Sequence, residues 1–213
     1  MAHRRRPLAL ALALNTAVLV VEVAGGLQAN SLSLIVDGIH NVSDEVALAF
    51  LVLAYTLRAG LSSRLLRTAN LFNSIGLLAI SFFLVWRVIE RLSAPAPVLG
   101  AVPVVAGVLG ALGNWGVAQV LKAPSRDDVA IRLAYVHNLG DTLLSLAPVM
   151  AGVLVLLTGR AWFDSMIALG IALVIVVTTL RSIIPTHQEL LWPPTVVCGH
   201  ADDGELTNRP RVL

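Results

Sequence analysis

The sequence predicts an all-α integral membrane protein of six transmembrane helices with both termini in the cytoplasm. Three observations predict it. Of the 213 residues, 57% are hydrophobic and only 13% are charged, against about 25% charged in an average soluble domain. Six membrane helices of about 20 apolar residues each occupy about 120 residues, close to the apolar content of the chain. Most of the charged residues lie between the apolar runs, as they do where loops alternate with spans. This composition excludes a soluble enzyme domain. Aromatic residues, at 5%, are too few for the stacking platforms that single-stranded nucleic acid needs, so nucleic acid is not an expected partner.

Spans are expected near 7 to 29, 32 to 57, 69 to 91, 98 to 121, 129 to 157 and 162 to 184, each long enough to cross about 30 Å of hydrocarbon. The first begins after Arg4, Arg5 and Arg6, a start that resembles a secretory signal. It outruns a signal core and carries Asn15 and Glu22, so a retained helix is expected. Gly25 and Gly26, then Asn30 and Ser31, turn the chain into the second span. The third contains Asn73 and ends at Arg91, before Pro95 and Pro97. In the fourth, Gly107, Gly110, Gly113 and Gly116 recur every third residue around Asn114, the pattern of a close-packing seam. Pro124 and Ser125 precede the fifth span, and Thr158 and Gly159 precede the sixth.

Residues 1 to 184 thus read as one transmembrane domain, and 185 to 213 as a short, mobile cytoplasmic tail rich in Pro193, Pro194, Asp202, Asp203, Glu205 and Pro210. The lone Cys198 in that tail has no partner for an internal disulfide. Metal capture by Cys198, His200, Asp202 and Asp203 is a minor alternative, because such residues arise often in polar tails.

Basic residues set the orientation, because Lys and Arg are retained on the cytoplasmic side. With six crossings, Arg4, Arg5, Arg6, Arg58, Arg64, Arg67, Lys122, Arg126, Arg132, Arg181, Arg209 and Arg211 share one side, and only Arg87, Arg91 and Arg160 face the other. Both termini are therefore expected in the cytoplasm.

Two spans break the apolar rule. The second carries Asp37, His40, Asn41, Asp44 and Glu45, and the fifth carries His137, Asn138 and Asp141. An ionisable group at the bilayer centre costs at least about 2.5 to 3.5 kcal/mol, so each asks for a partner or a task. The motif HNxxD occurs in both spans. Residues four apart share a helix face, so His40 lies above Asp44 and His137 above Asp141. If the two faces oppose, two nitrogens and two oxygens converge, a set suited to tetrahedral Zn2+ and open to neighbouring divalent metals. Both motifs sit ten residues into their spans, about 15 Å at 1.5 Å per residue, which is half the hydrocarbon thickness. Pairing of each His with its own Asp would neutralise one motif, but nothing structural demands the repeat.

Asp37 is expected either to orient the His40 ring or to line an access path, and Asn41 and Asn138 to stand behind the ligands or join neighbouring helices. Glu22, Asn15, Asn73 and Asn114 are expected as packing contacts as readily as parts of a pathway. Glu45 is expected to face a cytoplasmic cavity or pair with a basic residue.

Four segments carry a family resemblance: VEVAGGLQANSLSLIVDGIHNVSD, RVIERLSAPAPV, AIRLAYVHNLGDTLLSL and TGRAWFDSMIALGIALVI. In order and spacing, over about residues 10 to 185, the chain resembles the cation diffusion facilitator family of divalent-metal transporters. The resemblance implies a transport site at His40, Asp44, His137 and Asp141 and export of zinc from the cytoplasm across the plasma or inner membrane in exchange for protons. It also implies a homodimer, here held through the spans. His40 points to zinc, with Co2+, Cd2+, Fe2+ and Mn2+ as alternatives, and no prosthetic group is implied. Family members generally continue into a folded cytoplasmic metal-binding domain, whereas only 29 residues follow Ile184 here.

The expected mechanism is alternating access, with protons competing for the ligand lone pairs because metal needs neutral imidazole and ionised carboxylate. No phosphate-binding glycine loop points to nucleotide. Two other classes compete. A transport-inactive structural or regulatory membrane subunit would tolerate loss of Asp44 or Asp141. An intramembrane metallo-hydrolase would show no metal flux, and it normally keeps three protein ligands and an open position.

Overall fold

The computed structural model describes residues 2–56, 63–94 and 96–183. Within them every element is helical: α1 Ala2–Ala29, α2 Leu32–Thr56, α3 Ser63–Ser93, α4 Ala101–Lys122, α5 Val129–Leu144, α6 Leu146–Thr158 and α7 Trp162–Ile183, with a short 3-10 turn Pro124–Arg126 before α5. Cys198, His200, Asp202 and Asp203 lie outside the described residues, as do residues 57–62.

Among the described residues, four stretches are long and apolar enough to cross a membrane: Arg5–Ala29, Ala101–Lys122, Ala130–Thr158 and Trp162–Arg181. α2 and α3, of 25 and 31 residues, have the length of a span, but α2 holds Asp37, Asp44 and Glu45, and α3 ends in Arg87, Glu90 and Arg91. The chain is an all-α integral membrane protein.

Local chemistry sets the helix ends. Asn30 takes a left-handed backbone, φ 56°. Ser31 N donates to Gly26 O at 2.9 Å and Asn30 N to Leu27 O at 3.3 Å, which terminates α1 in a Schellman motif. α2 then starts at once, with Leu34 N bonded to Ser31 Oγ at 3.3 Å. Asp128 caps α5 by accepting from Ala130 N and Ile131 N. Gly159, at φ 68°, ends α6.

The expected span 129 to 157 falls on one apolar stretch, Ala130–Thr158, built of two helices, α5 and α6, divided at Ser145. Pro148 has no N–H to offer the Leu144 carbonyl, so the ladder loosens one turn after Asp141.

α1 lies along α2 and α4, and α4 along α5 and α6, while α3 and α7 pair with each other and lean on α2. The glycine seam brings these helices close. A Cβ on Gly107 would meet Val149 and the Ser145 carbonyl of the α5–α6 stretch, and one on Gly113 would collide with Val18 of α1. Two apolar cores result. Leu8, Ala11, Leu48, Leu51, Val117, Leu121, Ala130 and Ile131 join α1, α2, α4 and α5 at the end that carries the N-terminus. Leu32, Val36, Leu84, Val88, Ala168, Ile171, Ala172 and Ile175 join α2, α3 and α7 toward the opposite end, where the α1–α2 hairpin turns. Between the two cores, on α2, stand His40 and Asp44.

Candidate functional site

The helix period places His40 and Asp44 one turn apart on α2, and His137 and Asp141 one turn apart on α5. α1 packs on both α2 and α4, and α4 packs on α5, and this brings the two faces together. One ligand atom from each of the four residues lies within 4.8 Å of every other. The contacts cross between helices. His40 Nε2 is 3.2 Å from Asp141 Oδ1, and His137 Nε2 is 2.7 Å from Asp44 Oδ1. Within each helix the separation is wider, 4.0 Å for His40–Asp44 and 3.6 Å for His137–Asp141. The pairing of each imidazole with its own helix's carboxylate is thus the weaker contact. The two rings stand edge to face at 5.6 Å.

His40, Asp44 and Asp141 are buried, whereas the His137 side chain is 49% exposed and offers a way in. Asp44 Oδ2 and Asp141 Oδ2 are buried and accept no hydrogen bond. Burying a carboxylate oxygen without a donor is costly, and a cation offsets that cost. Ligand bonds of about 2.0 Å to Zn2+ in a tetrahedron require ligand atoms about 3.3 Å apart. The four nitrogen–oxygen distances of 2.7, 3.2, 3.6 and 4.0 Å bracket that value. The cluster can hold a divalent cation with small side-chain shifts.

The neighbours of the cluster turn to other partners. His40 Nδ1 has no hydrogen-bond partner, so Asp37 does not orient the ring; it lies instead beside Glu22 and the Ser145 hydroxyl. Asn41 donates to Glu22 Oε2 at 2.5 Å. Asn138 donates to the Ala134 carbonyl of its own helix at 2.9 Å. Glu45 pairs with no basic residue in the contacts seen: it accepts from Asn15 Nδ2 at 2.9 Å and from Thr16 Oγ1 at 2.5 Å. Asn114 donates to Ser145 Oγ at 3.1 Å. Asn73 has no described side chain.

A second polar centre, unforeseen in the sequence, lies at the hairpin end. Asp164, in the first turn of α7, is fully buried. Its carboxylate accepts from Ser31 Oγ at 2.6 Å, Leu32 N at 2.7 Å, Ser33 Oγ at 2.5 Å and Ser33 N at 3.4 Å. It therefore holds the start of α2 against α7. The available signal was an acid at the head of an apolar run, but read locally that acid serves its own helix N-terminus. Arg91 adds an exposed clamp to Asn30 O at 3.0 Å and Asn30 Oδ1 at 2.6 Å.

Comparison with known proteins agrees with this architecture. The family model described as the cation efflux transmembrane domain matches residues 8–191. The chain is similar to the zinc transporter ZitB of Escherichia coli, 31% identical over 198 residues that cover 89% of this chain and 63% of ZitB. It is similar to the metal cation efflux system protein CzcD of Cupriavidus metallidurans, 30% identical over 177 residues, 79% of this chain and 56% of CzcD. With the cadmium, cobalt and zinc/H(+)-K(+) antiporter of Bacillus subtilis it shares 27% identity over 170 residues, 75% of this chain and 55% of the antiporter. The chain spans less than two thirds of the length of these curated relatives. With the transmembrane model matched over residues 8–191 and both HNxxD helices inside that match, the chain belongs to the cation efflux family.

Proposed function

We propose that this chain exports divalent metal, zinc foremost, from the cytoplasm in exchange for protons, through a site made of His40, Asp44, His137 and Asp141. The observation that carries the reading is the convergence of those four ligand atoms, from two helices, within 4.8 Å. The printed names of the relatives, a zinc transporter and a cadmium, cobalt and zinc antiporter, support it. Two imidazoles with two carboxylates favour Zn2+, while Co2+, Cd2+, Fe2+ and Mn2+ stay within reach of the same ligand types. This is a secondary transporter, not an enzyme: four ligands leave no open position for a reacting water.

In this reading residues 1–184 form the transmembrane domain with six spans, α5 and α6 sharing one, and 185–213 form a cytoplasmic tail. The one-sided basic residues support cytoplasmic termini in the cell membrane. The resemblance carries the further proposal of a homodimer held through the spans. Protons compete at the same atoms: a protonated imidazole has no lone pair for metal, so an inward proton gradient drives metal outward. The core of α2, α3 and α7 stands on the hairpin side of the site, and rocking of the α3–α7 pair against α2 is the motion that would alternate access.

The test is metal flux into proteoliposomes of purified protein against Zn2+, Co2+, Cd2+, Fe2+ and Mn2+, with and without a pH gradient. Gradient-driven zinc flux that disappears in Asp44→Ala is expected. Absence of flux for every ion, in protein that folds, would sink the transporter reading.

A further inference from the structure

The mechanism above leaves unused a second pair of buried carboxyls. Glu22 on α1 is fully buried and Asp37 on α2 nearly so, and the two side chains are neighbours. Glu22 Oε2 accepts from Asn41, but Glu22 Oε1 and Asp37 Oδ2 are buried without any partner. Gly110 of α4 leaves the room that Glu22 fills, since a Cβ there would overlap Oε1. The groups facing the pair are His40 and Asn41 from α2, Gly110 of α4, and Asp141 and Ser145 from α5 and its break, with Asn114 of α4 bonded to Ser145. Among these described neighbours there is no Lys or Arg. Two adjacent carboxylates in such a setting do not both ionise unless a cation joins them. One proton on either carboxyl removes the conflict, and it gives one of the two orphaned oxygens a donor.

We propose that Glu22 and Asp37 hold one proton between them, as a proton site separate from the four metal ligands and lying on their hairpin side. Its position ties it to the metal site. Asp37 is one helical turn before His40, Asn41 follows His40 directly, and Ser145 N donates to the Asp141 carbonyl at 2.8 Å. A dication on the four ligands lowers the cost of a second negative charge at the pair. Metal then expels the proton: the O–H bond breaks, its electrons stay on the carboxylate, and the proton passes to water. Nothing is oxidised or reduced. The coupling rests on the metal reading; the existence of the shared proton does not.

The experiment uses the purified full chain. Infrared spectroscopy at neutral pH reads the C=O stretch of a neutral carboxylic acid, and a pH dye in weak buffer counts protons released per Zn2+ bound. The neutral-acid band is expected to weaken in Glu22→Gln and in Asp37→Asn and to return in Glu22→Asp. Glu22→Gln is expected to bind Zn2+ with unchanged stoichiometry while releasing fewer protons. A band unaffected by both neutral variants, or equal proton counts in wild type and Glu22→Gln, overturns the proposal. If Glu22→Gln does not fold, Asp37→Asn gives the same two readings. If the wild type binds no Zn2+, the metal reading fails, and the infrared band alone decides the proton site.

Discussion

Asp164 and the pair Asp44–Asp141 are all buried carboxylates between helices, yet their surroundings are opposite. Asp164 meets four donors from Ser31, Leu32 and Ser33, so both oxygens are satisfied by the protein. Asp44 and Asp141 each spend one oxygen on an imidazole from the other helix and keep the second without a donor. A saturated buried carboxylate stabilises the fold it sits in, because its desolvation is offset by hydrogen bonds. An unsaturated one weakens the fold and is ready for a cation. The hairpin end of the molecule is thus saturated, and the middle is left with unmet acceptors.

The largest effect should come from the unsaturated side. Asp44→Ala or Asp141→Ala is expected to abolish Zn2+ binding and flux, measured by equilibrium binding and in proteoliposomes. In the neutral variants Asp44→Asn and Asp141→Asn, the thermal midpoint of the metal-free protein is expected to stay level or rise. A marked fall in that midpoint would show that these carboxylates are structural after all and would erase the contrast with Asp164.

Next in size is Asp164→Ala, which strands the donors of Ser31, Ser33 and Leu32 N in a buried setting. Each buried donor left without an acceptor costs about 1–3 kcal/mol, read as a lower thermal midpoint, while the folded fraction still binds Zn2+ at the wild-type stoichiometry. Loss of binding at unchanged stability would move Asp164 to the functional side of the comparison.

Acidity should act on the middle. As pH falls, protons compete for the lone pairs of His40 and His137 that metal needs. Zn2+ affinity is then expected to fall by about tenfold per pH unit for each competing proton. The same titration by calorimetry on His40→Asp, which leaves one imidazole, should give a shallower dependence, and an unchanged slope would remove His40 from the competition. Smallest is Arg91→Ala, whose clamp on Asn30 is exposed. A loss of about 0.2–1 kcal/mol is expected by thermal denaturation, with no change in metal affinity.

Much of this was legible in advance because the informative signals are local. The turn at Asn30 and Ser31 precedes the start of α2 at Leu32, and Gly159 ends α6 as a helix-stopping glycine should. His40 with Asp44, and His137 with Asp141, share a face because helical periodicity requires it. What the sequence left open it left open for local reasons. Glu45, expected at a cytoplasmic cavity or beside a base, meets Asn15 and Thr16 across the α1–α2 contact. Asp37, three residues from His40 and expected either to orient that ring or to line an access path, lies beside Glu22. Asp164 was assigned no role, since its partners lie more than 130 residues away.

The sequence by itself determined that the chain is helical and membrane-bound, and which helix face carries the imidazole and carboxylate. Those features depend on apolar run length and on contacts within a turn or two. Tertiary structure alone decided that His40 bonds Asp141 and His137 bonds Asp44, that the oxygens left over are bare, and that Asp164 is saturated by another helix. The physical reason is that a carboxylate's partners across an interface depend on helix crossing and side-chain direction, which no spacing along one chain encodes.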